Sequence, residues 1–136
     1  MDNKSDLTSL DTLLNEIRGC TVCADYLPLG ARPVIQAGRN APILIVGHAP
    51  GTRVHESGIP WTDQSGTRLR KWLGVDEVSL LNKSNFAIVP MGFCYPGRGA
   101  SGDNPPRPEC APLWHDKALA ELPNVELTLL IGQHSQ

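Results

Sequence analysis

Apolar residues recur at Leu7, Leu10, Leu13, Leu14 and Ile17, with polar residues between them. A helix turns about 100° per residue, so these positions share one side, and the pattern predicts an amphipathic helix over 7–17. Thr8 or Ser9, with Asp11 and Glu16 nearby, supplies start chemistry, and Gly19 supplies an end that delivers Cys20 to a turn. Three further runs, 42–46, 86–89 and 125–131, are short, apolar and rich in β-branched side chains, as expected of strands covered on both faces. Gly47 stops the first and Gly132 the third. Helical patterns fall between them at 65–73 and 110–122. Strand, helix, strand, helix, strand predicts an α/β layered sheet with parallel strands. Ligands of such sheets bind beyond the carboxyl ends of the strands, so the loops after Val46, Val89 and Ile131 should converge on one site. The third strand is followed by only a few residues and no covering helix, which predicts a C-terminal truncation of a single domain over 1–136.

Composition narrows the partners. Twelve Lys and Arg against fourteen Asp and Glu give a net charge of −2, which excludes a global basic field and leaves a polyanion only a local patch. Arg68, Arg70 and Lys71 on the second predicted helix, with Arg53, Arg98 and Arg107 in loops, could form a phosphate-binding rim; a solvated helix face is the blander reading. A hydrophobic share of 40% excludes a disordered chain, and thirteen Gly with twelve Pro place much of the sequence in specified loops, where function concentrates. The first residues lack the basic start and apolar centre of a signal peptide, and no apolar run is long enough to span a membrane. A soluble, intracellular chain is expected.

Four cysteines in such a chain favour metal-bound thiolates over disulfides. Cys20 and Cys23 form a Cys-x2-Cys turn, and Cys94 and Cys110 have fifteen residues between them. Four thiolates suit tetrahedral zinc or an iron-sulfur cluster; a redox dithiol and ordinary buried cysteines remain as alternatives. The polar, broken loop from Tyr95 to Pro108 is expected to bring Cys94 and Cys110 to one place.

Gly47-His48-Ala49-Pro50-Gly51 follows a predicted strand, and its glycines permit close backbone approach to an anionic or carbonyl-rich ligand, with His48 projecting into the same crevice. A plain turn with a surface histidine is the competing reading. Trp61 lies in a loop just ahead of a helix, placed either to stack on a planar ligand or to cap the core.

Together, the Cys20-x2-Cys23 turn, the Gly47 to Gly51 loop, Gly58-Ile59-Pro60-Trp61 ahead of Ser65-Gly66, and Cys94-x15-Cys110 resemble the iron-sulfur uracil-DNA glycosylases, or family 4, over nearly the whole chain. Within that superfamily the segment from Met91 to Gly97 resembles a bacterial branch, which implies a cytoplasmic location. The resemblance implies a three-layer α/β/α sandwich with a short parallel sheet, lacking its last strand and helix. It implies a structural 4Fe-4S cluster on Cys20, Cys23, Cys94 and Cys110. The implied activity is hydrolysis of the N-glycosidic bond of uracil, or a related deaminated base, after the nucleotide is flipped out of DNA. Gly47, Ala49, Pro50 and Gly51 would bind the base, with backbone amides facing the charge that develops on it, and Trp61 would stack on it where the family usually has Phe. His48 would position the attacking water where the family has Glu. The family's base-reading Asn falls at Pro90. Its His-Pro-Ser loop would lie beyond Gln136, and His134 is no substitute, so the 136-residue chain is expected to be inactive or nearly so while a full-length parent acts. DNA is the expected partner, no membrane is involved, and a monomer is expected. A non-catalytic iron-sulfur or zinc module is the main rival, and a small-molecule hydrolase on the same sheet the lesser one.

Overall fold

A computed structural model describes residues 8–100 and 102–132. The first element, α1 (Ser9–Arg18), starts where its chemistry predicts: the Thr8 hydroxyl accepts from the Asp11 N–H at 3.1 Å, and the Asp11 carboxylate accepts from the Thr8 N–H at 3.2 Å. Leu10, Leu13, Leu14 and Ile17 are buried along one face. Leu7 lies outside the described residues.

The sheet follows the predicted order. Its strands are β1 (Ile43–Val46) and β2 (Phe86–Ile88), and, after a small hairpin of β3 (Arg98–Gly99) and β4 (Gly102–Asp103), β5 (Leu127–Leu130). Spatially the sheet runs β2-β1-β5 with all pairs parallel, Ile43 facing both Phe86 and Leu127. Alternation along the strands sends side chains into two cores. Leu44, Val46 and Ala87 pack with α1 and with Ala118 of α5 (Asp116–Ala120). Ile45 and Phe86 pack on the other face with Leu69 of α3 (Gln64–Leu73) and Leu80 of α4 (Glu77–Leu80). This is an α/β/α arrangement around a short three-stranded parallel sheet, as expected.

Three expectations need correction. The strand at 125–131 is not covered on both faces: Leu127 and Leu130 are 50% and 47% exposed, because β5 has only β1 as a neighbour among the described residues. The segment 110–122 is not one α-helix; it opens as a π-helical stretch, Ala111–His115, with Pro112 in its first turn, and becomes α-helical only at α5. Two short helices were not expected. One is α2 (Thr52–Ser57), which has a single buried residue, Val54, and so shows no apolar period. The other is α4, capped by Asp76 through the Ser79 N–H at 2.8 Å.

The outer edge of β2 is covered by the chain itself. Gln36 forms an antiparallel bridge with Ile88, and its side-chain amide donates to the Leu80 and Phe86 carbonyls at 3.0 and 2.8 Å. Among the described residues no helix is long and apolar enough to cross a membrane.

Candidate functional site

The loops at the carboxyl ends of the three parallel strands meet around a cavity of about 390 Å³, within the size range of small-molecule and base pockets. Gly47, His48, Ala49, Pro50 and Gly51 line it after β1, Pro90 after β2, and Ile131 and Gly132 after β5. The convergence expected of a parallel sheet is therefore realised, and every residue of the Gly47 to Gly51 loop reaches the cavity.

The loop is held by an extension of the strand ladder. The Gly47 carbonyl accepts from the Met91 N–H and the His48 carbonyl from the Gly92 N–H, both at 2.9 Å. The His48 ring lies against Gly132, where any side chain would collide with it. Gly132 has φ +88°, which glycine adopts without strain, so this residue both turns the chain and makes room for the imidazole.

Trp61 both packs on the core and lines the cavity. Its ring lies across Gly47, whose Cβ, if present, would stand 3.0 Å from Trp61 Cζ2, and it lines the cavity while its inner side packs on the core of Ile45 and Leu69. Its backbone is in the left-handed region at φ 58°, the one such non-glycine residue among those described. Its carbonyl accepts from Arg70 Nη1 at 3.1 Å and presses on Gly66, which has no Cβ to obstruct it. Strain at Trp61 is thus held by the start of α3.

Sequence reasoning missed several lining residues. Asp63 caps α3, its Oδ1 accepting from the Gly66 N–H at 3.0 Å, and its other oxygen faces Gly51. Asp103 faces Gly51 from the opposite loop: a Cβ there would stand 3.7 Å from Asp103 Oδ2 and 3.9 Å from Asp63 Oδ2. Asn104 also lines the cavity, but its amide donates to the Pro96 carbonyl at 3.3 Å and is tied to the hairpin. The Tyr95 to Pro108 loop therefore does more than carry cysteines, since Pro96, Asp103, Asn104 and Pro105 form one wall. The cap pattern Asp63-x2-Gly66 was readable; the approach of Asp103 to Gly51 was not, because it depends on tertiary folding.

The expected basic rim is only partly assembled. Arg68 lines the cavity, and Arg53, Lys71 and Arg98 are exposed. Arg70 instead serves Trp61, and Arg107 pairs with Glu109 at 2.8 Å and lies 4.6 Å over the Tyr26 ring.

The cysteines gather from both halves of the chain. All four are free thiols, with Cys23, Cys94 and Cys110 buried and Cys20 half-buried. Cys23, Leu27 and Cys94 form one buried group with Ala31 against it. Burial pushes the Cys94 thiol up to about 11, and Cys110, Cys20 and Cys23 are near enough to add to the rise. Burial likewise raises Cys110 and Cys23. Opposing these shifts, backbone amides donate to two sulfurs, Arg32 to Cys94 and Phe93 to Cys110, and Arg107 reaches Cys23. Among the described residues no three His, Cys, Asp or Glu side chains stand close enough to share a single ion. His134 lies outside the described residues.

The family model described as the Uracil DNA glycosylase superfamily matches residues 35–136, a span that takes in every cavity-lining residue but Val34, together with Cys94 and Cys110, and begins after the first cysteine pair. Three quarters of the chain thus carry the family's pattern on the sheet and loops described above, and the chain belongs to the uracil DNA glycosylase superfamily.

Proposed function

We propose that the chain is a DNA glycosylase of the iron-sulfur, family 4-like branch, acting on uracil or a related deaminated base. The observation that carries this reading is the cavity at the strand ends, walled by the backbone of Gly47 to Gly51 on one side and the Trp61 ring on another. A flipped base stacks on Trp61, whose ring Gly47 makes room for, and the close approach allowed by Gly51 brings the loop amides to its carbonyl oxygens, where negative charge grows as the glycosidic bond breaks. His48, fixed against Gly132, holds the attacking water through an imidazole nitrogen. An imidazole gives a cationic sugar no electrostatic support, and the carboxylates of Asp63 and Asp103 beside Gly51 supply the negative charge on that side.

The donor set around the second region fits a 4Fe-4S cluster: four thiols, three of them buried, with backbone amides directed at two sulfurs. Cys20, Cys23, Cys94 and Cys110 would hold it, and its role there is to cross-link the turn after α1 to the loop after β2. The rival reading, a module that binds damaged DNA without cutting it, draws on Pro90 and on an Asn104 amide engaged by the hairpin.

The deciding experiment compares binding to oligonucleotides carrying thymine or an uncleavable 2′-fluorinated deoxyuridine, alongside single-turnover base release from uracil-containing single and double strands. The expected result is uracil-dependent binding tighter by about tenfold or more, equivalent to about 1.4 kcal/mol, with slow release of uracil, in line with the near-inactivity expected of these 136 residues. Equal binding and no release would overturn the glycosylase reading; tight uracil-dependent binding with no release would favour the module.

A further inference from the structure

We infer that Arg32 is a positioning residue that couples the cysteine centre to the wall of the base pocket, an assignment that rests on the glycosylase reading for what the pocket holds. The residues on either side of it are fastened to the cysteine loops. Ala31 packs on the buried group of Cys23, Leu27 and Cys94, and the Val34 N–H donates to the Phe93 carbonyl at 2.8 Å. The Arg32 side chain leaves in the other direction. Its Nη1 donates to the His55 and Glu56 carbonyls at 2.6 and 2.7 Å. These carbonyls belong to the last turn of α2, where no further helical amide is available to meet them, and a guanidinium satisfies both while placing its charge at the favourable end of the helix.

The neighbouring glycine is shaped for this clamp. Gly58 ends α2 at φ +72°, and a Cβ there would stand 2.6 Å from Arg32 Nη2, so a side chain would push the guanidinium off its carbonyls. A second contact runs parallel to it: the His55 ring lies 6.2 Å from the ring of Tyr95, the residue after Cys94. At six residues with one buried side chain, α2 is too short to hold its own position, so its placement follows from what grips it. Its N-terminal boundary is Gly51, and Gly51 and Val54 both line the cavity. A movement of the cysteine loops is thus transmitted through Arg32 to the pocket wall.

The test is a double-mutant cycle read by amide hydrogen exchange over residues 52–58, in the parent chain, Arg32→Ala, Cys94→Ser and the double variant. Each single substitution is expected to speed exchange there by about tenfold or more beyond any change in the amides of β1, and the double variant is expected to add little to either. Arg32→Lys, which keeps the charge but loses the length and planar shape that seat Nη1 between the two carbonyls, should fall between the parent and Arg32→Ala, and it stands in should Arg32→Ala fail to fold. Exchange over 52–58 that is unchanged in Arg32→Ala or in Arg32→Lys, or effects of the two sites that simply add, would overturn the coupling. Neither result depends on base release, so a failed glycosylase assay and a failed coupling are separately visible. Uracil-dependent oligonucleotide binding should weaken in parallel with the loss of protection.

Discussion

The cavity and the cysteine centre are built by opposite means. The cavity stands on regular structure: its floor is the end of a parallel ladder that continues past the strands, through Gly47 and His48 to Met91 and Gly92, with packed side chains on both faces of the sheet. The cysteine centre is assembled from less regular pieces: Cys23 opens the three-residue 3₁₀ turn Ala24–Tyr26, Cys94 lies in the loop after β2, and Cys110, which packs on the main core, precedes the π-helical stretch. Around it Val22, Tyr26 and Leu29 are more than half exposed, and the buried group is small. Burial of apolar surface orders the first region; the second has too little of it and places thiols where a larger domain would place leucines. A cross-link such as the proposed cluster would serve the second region and not the first.

The largest effect should come from removing the proposed cross-link. Cys94→Ser is expected to abolish iron and acid-labile sulfide in anaerobically purified protein and to lower Tm by about 10 °C, both measurable on one sample; full iron content in the variant would mean that the cysteines are not the ligands. On the cavity side, Gly66→Ala forces a methyl into the Trp61 carbonyl and should cost about 2–4 kcal/mol by urea unfolding, since backbone rather than a flexible side chain must move. His48→Ala should lower single-turnover base release by about 10²-fold while leaving iron content alone, which separates the chemistry of one region from the integrity of the other. Trp61→Ala should weaken binding of the 2′-fluorinated oligonucleotide by about 1–3 kcal/mol, with Trp61→Phe retaining most of it.

The smallest expected effect lies outside both regions, in the helix caps. Backbone and side-chain hydrogen bonds hold the Asp11 and Asp76 carboxyls below the usual aspartate range, through Thr8 and Ser79 respectively. A depressed pKa contributes stability that is fully present above the unfolded value and fades as pH falls through the folded one. The urea midpoints of the parent and Asp76→Ala should therefore differ at neutral pH and draw together in acid.

Much of this was legible because it depends on local pattern. The spacing of Leu10, Leu13, Leu14 and Ile17 gave α1, the apolar runs ending at Gly47 and Gly132 gave the central strand β1 and the edge strand β5, and strand order implied that the loops would meet. The loop from Gly47 to Gly51 and Trp61 could be singled out from residue type and position, and the cavity includes them all. What escaped notice depends on distance in sequence. Asp103 reaches Gly51 across some fifty residues, Arg32 reaches the end of α2 across more than twenty, and Arg70 turns inward to Trp61 although its spacing suited a solvated face. Likewise, β5 has the composition of a buried strand, and its exposure follows from its place at the edge.

The two margins of the sheet differ in a way that bears on crowding and concentration. Along β2 the chain has already folded a partner onto the outer rim, with Gln36 spending its backbone and its side chain there. Along β5 the outward-facing backbone is offered without such a guard among the described residues, beside two half-exposed leucines. Among the described residues the open margin is thus β5, where an added strand would pair, and a charged residue introduced on that rim is the economical way to keep concentrated protein apart.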